Sequence, residues 1–309
     1  MSMDGLATSR QEATGQPQDV SWDLGHVELA GLHWPGADTR STEAVSPLIG
    51  LHGWLDNAAT FSRIGHGLSR WGPFFAVDMA GHGLSSHRPP GQGYLLVDYV
   101  ADLACLLAQH FPHQKVRLVG HSLGGIVALY YAAAFPEQVE KLILIDSLGP
   151  ITKPPGESVS QLRRGIEKRL AGSAPAPVYP SVEAAAKTRA GGLSPLSEQA
   201  AGVLVPRNLK PLGNGFSWRT DPRLRHPSMI MYEESQVRDC LQKLQTDALL
   251  LVAEQGLLKG HPLWSDRLAL ALSMRQVQVP GGHHCHLDGD TAPLLAAIDE
   301  FLSPESSIE

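Results

Sequence analysis

The feature that most constrains this chain is the run VRLVGHSLGGIVALYYAAAF at residues 116–135. It places Gly120-His121-Ser122-Leu123-Gly124, a G-x-S-x-G, directly after a short apolar strand and directly before a long apolar helix. A serine on so sharp a strand-to-helix turn sits in strained backbone. Side chains on its neighbours would collide, hence glycine two residues before it and two after. The turn lifts the Ser122 hydroxyl clear of the sheet and aims the first free amide of the helix, that of Leu123, at a developing oxyanion. The bland alternative is a glycine-serine helix entry with no chemistry, and the strand and helix on either side argue against it.

The surrounding pattern supplies the sheet that such a turn needs. Ser46–His52, Phe74–Asp78, Val116–Gly120 and Lys141–Asp146 read as strands that are apolar throughout, as in a parallel sheet covered on both faces. Tyr94–Phe111 and Leu123–Phe135, the latter stopped by Pro136, carry helical periodicity. Strand–helix alternation resumes at Ala248–Ala253, with a helix through Leu263–Ser273, a strand at Arg275–Val279 and a last helix at Thr291–Leu302. Between about 150 and 226 the texture differs. Proline and glycine are frequent, strand runs vanish, and weak helical segments lie near Val159–Leu170, Val182–Ala190 and Leu196–Val203. The expected division is a flexible tail at 1–18, an α/β core at 19–149 and 227–303, and an inserted helical cap at 150–226. The ends of the insertion must lie close together for the sheet to resume.

A serine hydroxyl is a weak nucleophile and needs a base. The informative histidines lie in Pro280-Gly281-Gly282-His283-His284-Cys285-His286-Leu287-Asp288, after the last strand and so at the same sheet end as Ser122. His283 is the expected base and His284 the fallback. Adjacent residues cannot easily converge on one ion and no C-x-x-C or H-x-x-x-H accompanies them, so neither a metal nor a cofactor is expected. A second oxyanion donor fits in Leu51-His52-Gly53-Trp54-Leu55-Asp56-Asn57, where the Trp54 amide follows a strand end. Asp78, at the head of MAGHGLSS, reads as a holder of backbone amides.

Net charge of −6 argues against a nucleic-acid partner. No apolar run reaches the roughly 18–20 residues of a membrane span, the polar start lacks the apolar stretch of a secretory signal, and Cys105, Cys240 and Cys285 imply no disulfide framework. The expectation is a soluble cytoplasmic protein, monomer or homodimer, with a small-molecule partner. The charge is unevenly placed. Residues 150–225 hold twelve Lys or Arg against five Asp or Glu, about +7, leaving about −13 for the remainder. A basic insertion either steers anionic substrates or presents a solvated face, and net charge does not say which side faces the serine.

The ordered set HGW, DMAGHGLSS, GHSLGG and GGHHCHLD resembles the α/β-hydrolase superfamily from about residue 20 to 302. HGWLDNAATF, GHGLSSHRPPGQGY, LILIDSLGP and MYEESQV…LLLVAEQGLL look like its serine hydrolase-like, Kraken-type branch. The resemblance implies an eight-stranded, mostly parallel sheet with helices on both faces, a helical cap after strand six and a Ser-His-acid triad. In it Ser122 would be nucleophile, His283 base, and Trp54 and Leu123 the oxyanion hole. The acid departs from the common pattern. Most of the superfamily places an Asp after strand seven, where this chain has Gly256 in Ala253-Glu254-Gln255-Gly256. Asp146, closing strand six, is the favoured substitute. Glu254 is the alternative, and a triad without a strong acid is the third case. The implied activity is cleavage of a small carboxylic ester or thioester through an acyl-enzyme. A carbon–carbon bond hydrolase on the same triad and a non-catalytic ligand-binding protein are the competing readings.

Overall fold

The computed structural model describes residues 16–36, 45–192, 194–271 and 274–304. In chain order the elements before the insertion are β1 (Gln18–Asp23), β2 (Glu28–Trp34), β3 (Leu48–Leu51), α1 (Gly65–Leu68), β4 (Phe74–Asp78), α2 (Leu96–His110), β5 (Val116–His121), α3 (Leu123–Ala134) and β6 (Val139–Ile145). Then come α4 (Ser158–Ala171), β7 (Val178–Tyr179), α5 (Val182–Ala190), α6 (Glu198–Asn208), β8 (Leu209–Leu212) and β9 (Gly215–Trp218). The chain closes with α7 (Glu234–Lys243), β10 (Asp247–Gln255), α8 (Trp264–Leu270), β11 (Met274–Gly282) and α9 (Ala292–Leu302).

One sheet of eight strands, in the order β1-β2-β4-β3-β5-β6-β10-β11, organises the molecule. The β1–β2 and β2–β4 pairings are antiparallel, and every other pairing is parallel. The continuous apolar strands have a direct cause. In β6, Leu142 and Leu144 pack on one face with Tyr99 and Leu106 of α2 and Val127 of α3. Ile143 and Ile145 pack on the other with Leu294 and Ile298 of α9. Alternate residues feed two separate cores, so no position from Leu142 to Ile145 can be polar, and the charged Glu140 and Lys141 stand before that stretch.

Most of the expected tail, residues 1–15, lies outside the described residues, and Gln18 already belongs to β1. The two strands at the antiparallel side of the sheet give no continuous apolar run. β1 buries Trp22 alone, and β2 alternates around exposed Glu28 and half-exposed Ala30 and His33. Within residues 150–226, β7, β9 and β8 form a small antiparallel sheet, which corrects the expectation that strands are absent there. Its strands have two to four residues, and the side chains of Lys210, Pro211 and Leu212 are exposed, so nothing in the sequence advertises them. α5 and α6 share a separate apolar cluster of Ala185, Ala201, Leu204 and Val205. The segment starts and ends at one place: Thr152 bridges Tyr232, and the Lys153 amide donates to the Tyr232 carbonyl at 2.9 Å.

Candidate active site

The carboxyl ends of the central strands set the site. Ser122 joins β5 to α3 with φ +50° and ψ −116°, a conformation costly for a residue with a β-carbon. It is held by its neighbours: the Ser122 amide donates to the Ile145 carbonyl at 3.2 Å, and the Ser147 hydroxyl donates to the Ser122 carbonyl at 2.7 Å. Gly124 is required by approach, since a β-carbon there would stand 2.1 Å from the Leu51 carbonyl oxygen. That closeness lets the Gly124 amide donate to the His52 carbonyl at 2.9 Å, bringing the start of α3 against the loop that carries Trp54. Among the described residues, neither the Leu123 nor the Trp54 amide spends its hydrogen on another backbone group.

Asp146 ends β6 in the same left-handed region, φ +45°, with its amide donating to the Leu251 carbonyl at 2.8 Å. The turn points its carboxylate across β10 toward the loop after β11. There Oδ2 accepts from the Leu257 amide at 2.8 Å and lies 2.6 Å from His283 Nδ1. The Asp146 side chain is fully buried and that of His283 is 10% exposed. Glu254 is exposed, away from this pair. A β-carbon on Gly256 would meet Asp146 Oδ1 at 2.3 Å, so the carboxylate occupies the volume that a side chain at 256 would need.

His284, the fallback base, turns elsewhere. Its Nε2 lies 2.9 Å from Asp56 Oδ2, while Arg189 of α5 donates to Asp56 Oδ1 at 2.9 Å. Burial alone would raise the Asp56 pKa, but His284 and Arg189 together hold it well below the usual carboxylate range. His121 stands beside this group, donating from Nε2 to the His283 carbonyl at 2.9 Å. Among the described residues, Asp56, His121 and His284 are a group whose ligand atoms all lie within 4.8 Å of one another. The Arg189 guanidinium supplies a cation to that carboxylate, while His121 Nδ1, 3.8 Å from Asp56 Oδ2, is buried without a hydrogen-bond partner among the described residues. Asp56, His121 and Arg189 escape a sequence reading. Asp56 carries only the weak signal of an acid beside a glycine turn, and Arg189 carries none.

Several surrounding imidazoles are kept neutral. Burial lowers the pKa of His121 and His286 well below the ordinary value, that of His82 to about 3, and that of His52 as well. Cys285, beside the pair, has its thiol pushed up to about 12 by burial. Asp78 holds the Ala58 amide at 2.7 Å and the Leu84 amide at 2.9 Å, and it receives Arg207 of α6. Seven of the twelve cations of the insertion are spoken for in this way: Lys153, Arg163, Arg189, Arg207 and Arg223 by carboxylates, Arg219 by the Leu209 carbonyl and Arg164 by the Gln161 side-chain oxygen. Arg225 instead lies over the ring of Trp54, 6.0 Å from its centroid, and Trp54 Nε1 donates to the Leu224 carbonyl at 3.0 Å.

Comparison with known proteins places this architecture among relatives. The family model for the alpha/beta hydrolase fold matches residues 46–205. A serine hydrolase-like protein of Danio rerio is 32% identical, over 97% of this chain and 91% of its own. A lipase of Mycobacterium tuberculosis is 30% identical over 73% of this chain and 79% of its own. Among solved structures, a hypothetical protein of Pseudomonas aeruginosa PAO1 superposes with a TM-score of 0.85 at 35% identity, covering 93% of this chain and 98% of that one.

Proposed function

This chain belongs to the α/β-hydrolase fold family, in its serine hydrolase-like branch, and from that footing we propose that it cleaves small carboxylic esters or thioesters through an acyl-enzyme at Ser122. The observation that carries the reading is the 2.6 Å contact of His283 Nδ1 with the buried carboxylate of Asp146, on a loop joined to the neighbour of the strained Ser122 by the hydrogen bond from His121 Nε2 to the His283 carbonyl. An acceptor at Nδ1 fixes the tautomer with its proton there and leaves Nε2 free to act as base. His283 then takes the Ser122 proton as Oγ bonds to the substrate carbonyl carbon. The carbonyl oxygen gains negative charge, which the Leu123 and Trp54 amides receive. Collapse expels the alcohol or thiol, which leaves with the proton from His283. Water, deprotonated by the same ring, attacks the acyl-enzyme and releases the acid. Asp146 stabilises the imidazolium formed in each half-reaction. The lipase name of one relative supports an ester bond as the one broken. We read residues 150–226 as the cap over this site, with seven of its twelve cations holding it to the core or to itself.

A fluorophosphonate probe tests the reading. The wild-type protein is expected to be labelled on one serine and the Ser122→Ala variant not at all; an unlabelled wild type, or a labelled Ser122→Ala variant, sinks it. A second test addresses the acid's surroundings. Gly256→Ala is expected to displace the Asp146 carboxyl and to lower kcat roughly 10- to 100-fold with KM little changed, because a misplacement of about 1 Å is felt at that scale. Wild-type kcat in that variant would show that the contact is unimportant.

A further inference from the structure

Four consecutive residues of the loop after β3 are held by residues of the insertion. Trp54 Nε1 donates to the Leu224 carbonyl at 3.0 Å, and the Leu55 carbonyl accepts from Asn208 Nδ2 at 3.3 Å. Asp56 Oδ1 accepts from Arg189 Nη2 at 2.9 Å, and Asn57 Nδ2 donates to the Leu204 carbonyl at 2.8 Å. The loop has need of such support. The Asp56 amide donates to the Gly53 carbonyl at 3.1 Å, closing a tight turn with Trp54 and Leu55 at its corners. Leu55 stands there at φ +65°, a conformation costly for a residue with a β-carbon. The Trp54 amide therefore sits on a strained turn whose clamps come from a distant part of the chain.

The clamp on Asp56 reaches further than the other three. The Asp56 side chain is 1% exposed, and its two oxygens divide between Arg189 at Oδ1 and His284 Nε2 at Oδ2, each 2.9 Å away. His284 is one corner of a second tight turn, closed by the Cys285 amide donating to the Gly282 carbonyl at 3.0 Å, and His283 is the other corner. One carboxylate thus joins the turn that carries the Trp54 amide to the turn that carries His283. Removing one partner of a buried ion pair leaves the other charge uncompensated, and the carboxylate must then move toward water or take up a proton. Either change alters its hold on His284. Arg189 is itself fixed, with Nη1 donating to the Ser194 carbonyl at 3.0 Å, and among the described residues it makes no hydrogen bond to Ser122, His283 or Asp146. We propose that Arg189 is a positioning residue through which the insertion sets both turns: seated on Asp56, it holds the Trp54 amide and His283 where Ser122 can use them. The inference rests on the reading of Ser122 and His283 given above.

Arg189→Ala in the full chain tests this, with an aryl ester as substrate. kcat is expected to fall roughly 10- to 100-fold with KM within about twofold, because the loss is one of geometry rather than of substrate contact. Guanidinium ion below denaturing concentration is expected to restore a large part of kcat, and Arg189→Lys, which keeps the charge, to lose less than Arg189→Ala. Amide exchange followed by mass spectrometry is expected to quicken at residues 53–57 and 282–288 and not in the central strands. The same change is expected in a Ser122→Ala background, so exchange reports the coupling even if the wild type fails to label at Ser122. Unchanged exchange at 282–288 overturns the proposal. So does an unchanged kcat in a wild type that labels at Ser122, or a loss confined to KM, which would give Arg189 to substrate binding. A loss of kcat that neither guanidinium nor lysine repairs, with a lowered melting temperature, also overturns it and leaves Arg189 a residue of stability alone.

Discussion

Asp146→Asn is expected to lower kcat on the order of 10⁴-fold, while Glu254→Gln leaves it within about twofold. The asymmetry follows from where the two carboxyls stand. Asp146 is buried, 2.6 Å from His283 Nδ1, and its Oδ2 also accepts the Leu257 amide. An asparagine of the same shape would keep the volume but lose the charge that stabilises an imidazolium. With its amide nitrogen toward Nδ1, it would also favour the unproductive tautomer, with the proton on Nε2. Glu254 is exposed and takes no part in the contact. KM should change little in either variant, since neither carboxyl is proposed to bind the leaving group. Steady-state kinetics on one aryl ester, with thermal melts to show that both variants fold, decides the matter. Comparable losses in the two variants would remove Asp146 from the mechanism.

The second large effect is on stability. Unfolding free energy is expected to fall by about 4 kcal/mol between pH 7.5 and 5.5 from three histidines alone. His82, His121 and His286 are fully buried, and desolvation lowers the pKa of each, to about 3 for His82 and well below the ordinary value for the other two. In the unfolded chain these rings titrate near 6.5. Below that pH the unfolded state takes up protons that the native state excludes, so stability is full above pH 6.5 and declines as pH falls. Each ring contributes a little over 1 kcal/mol by pH 5.5. The depressed pKa of Asp56 acts in another window: its contribution is present above about pH 4 and lost only below it. Denaturant titrations at the two pH values provide the check, and equal midpoints with equal slopes would show that the three rings are not buried as neutral groups. A loss of this size is a large share of the 5–15 kcal/mol typical of a domain.

Much of the fold was legible because its central strands sit between two helical layers. LILI at 142–145 has no choice but to be apolar at every position, and such runs are visible without a structure. The Ser122 turn was legible for a steric reason: a side chain at 124 would meet the Leu51 carbonyl of β3, and one at 120 would meet the Gly124–Gly125 backbone at the start of α3. β1, β2 and the small sheet in the insertion were not: β1 leaves most of its side chains in water, β2 interrupts its buried positions with Glu28 and His33, and the strands of the small sheet have two to four residues. His283 could be placed from its loop, and Asp146 from the end of an apolar strand. The Asp56–Arg189 pair could not: 133 residues separate its members, and only the folding of α5 over the β3 loop brings them together.

The crowding between Gly256 and Asp146 has a consequence for any exchange of the acid proposed for His283. An aspartate at 256 and an aspartate at 146 compete for one space, with 2.3 Å separating a β-carbon on the first from the carboxylate of the second. A chain carrying both would strain the loop, and a chain carrying neither would lack an acid for His283. On the proposed triad, exchanging the acid between the two strand ends therefore takes two substitutions, and either one alone is expected to lower activity. A glycine at this position then serves as a marker: in a new sequence of this kind, it points to the end of β6 as the place to look for the missing carboxylate.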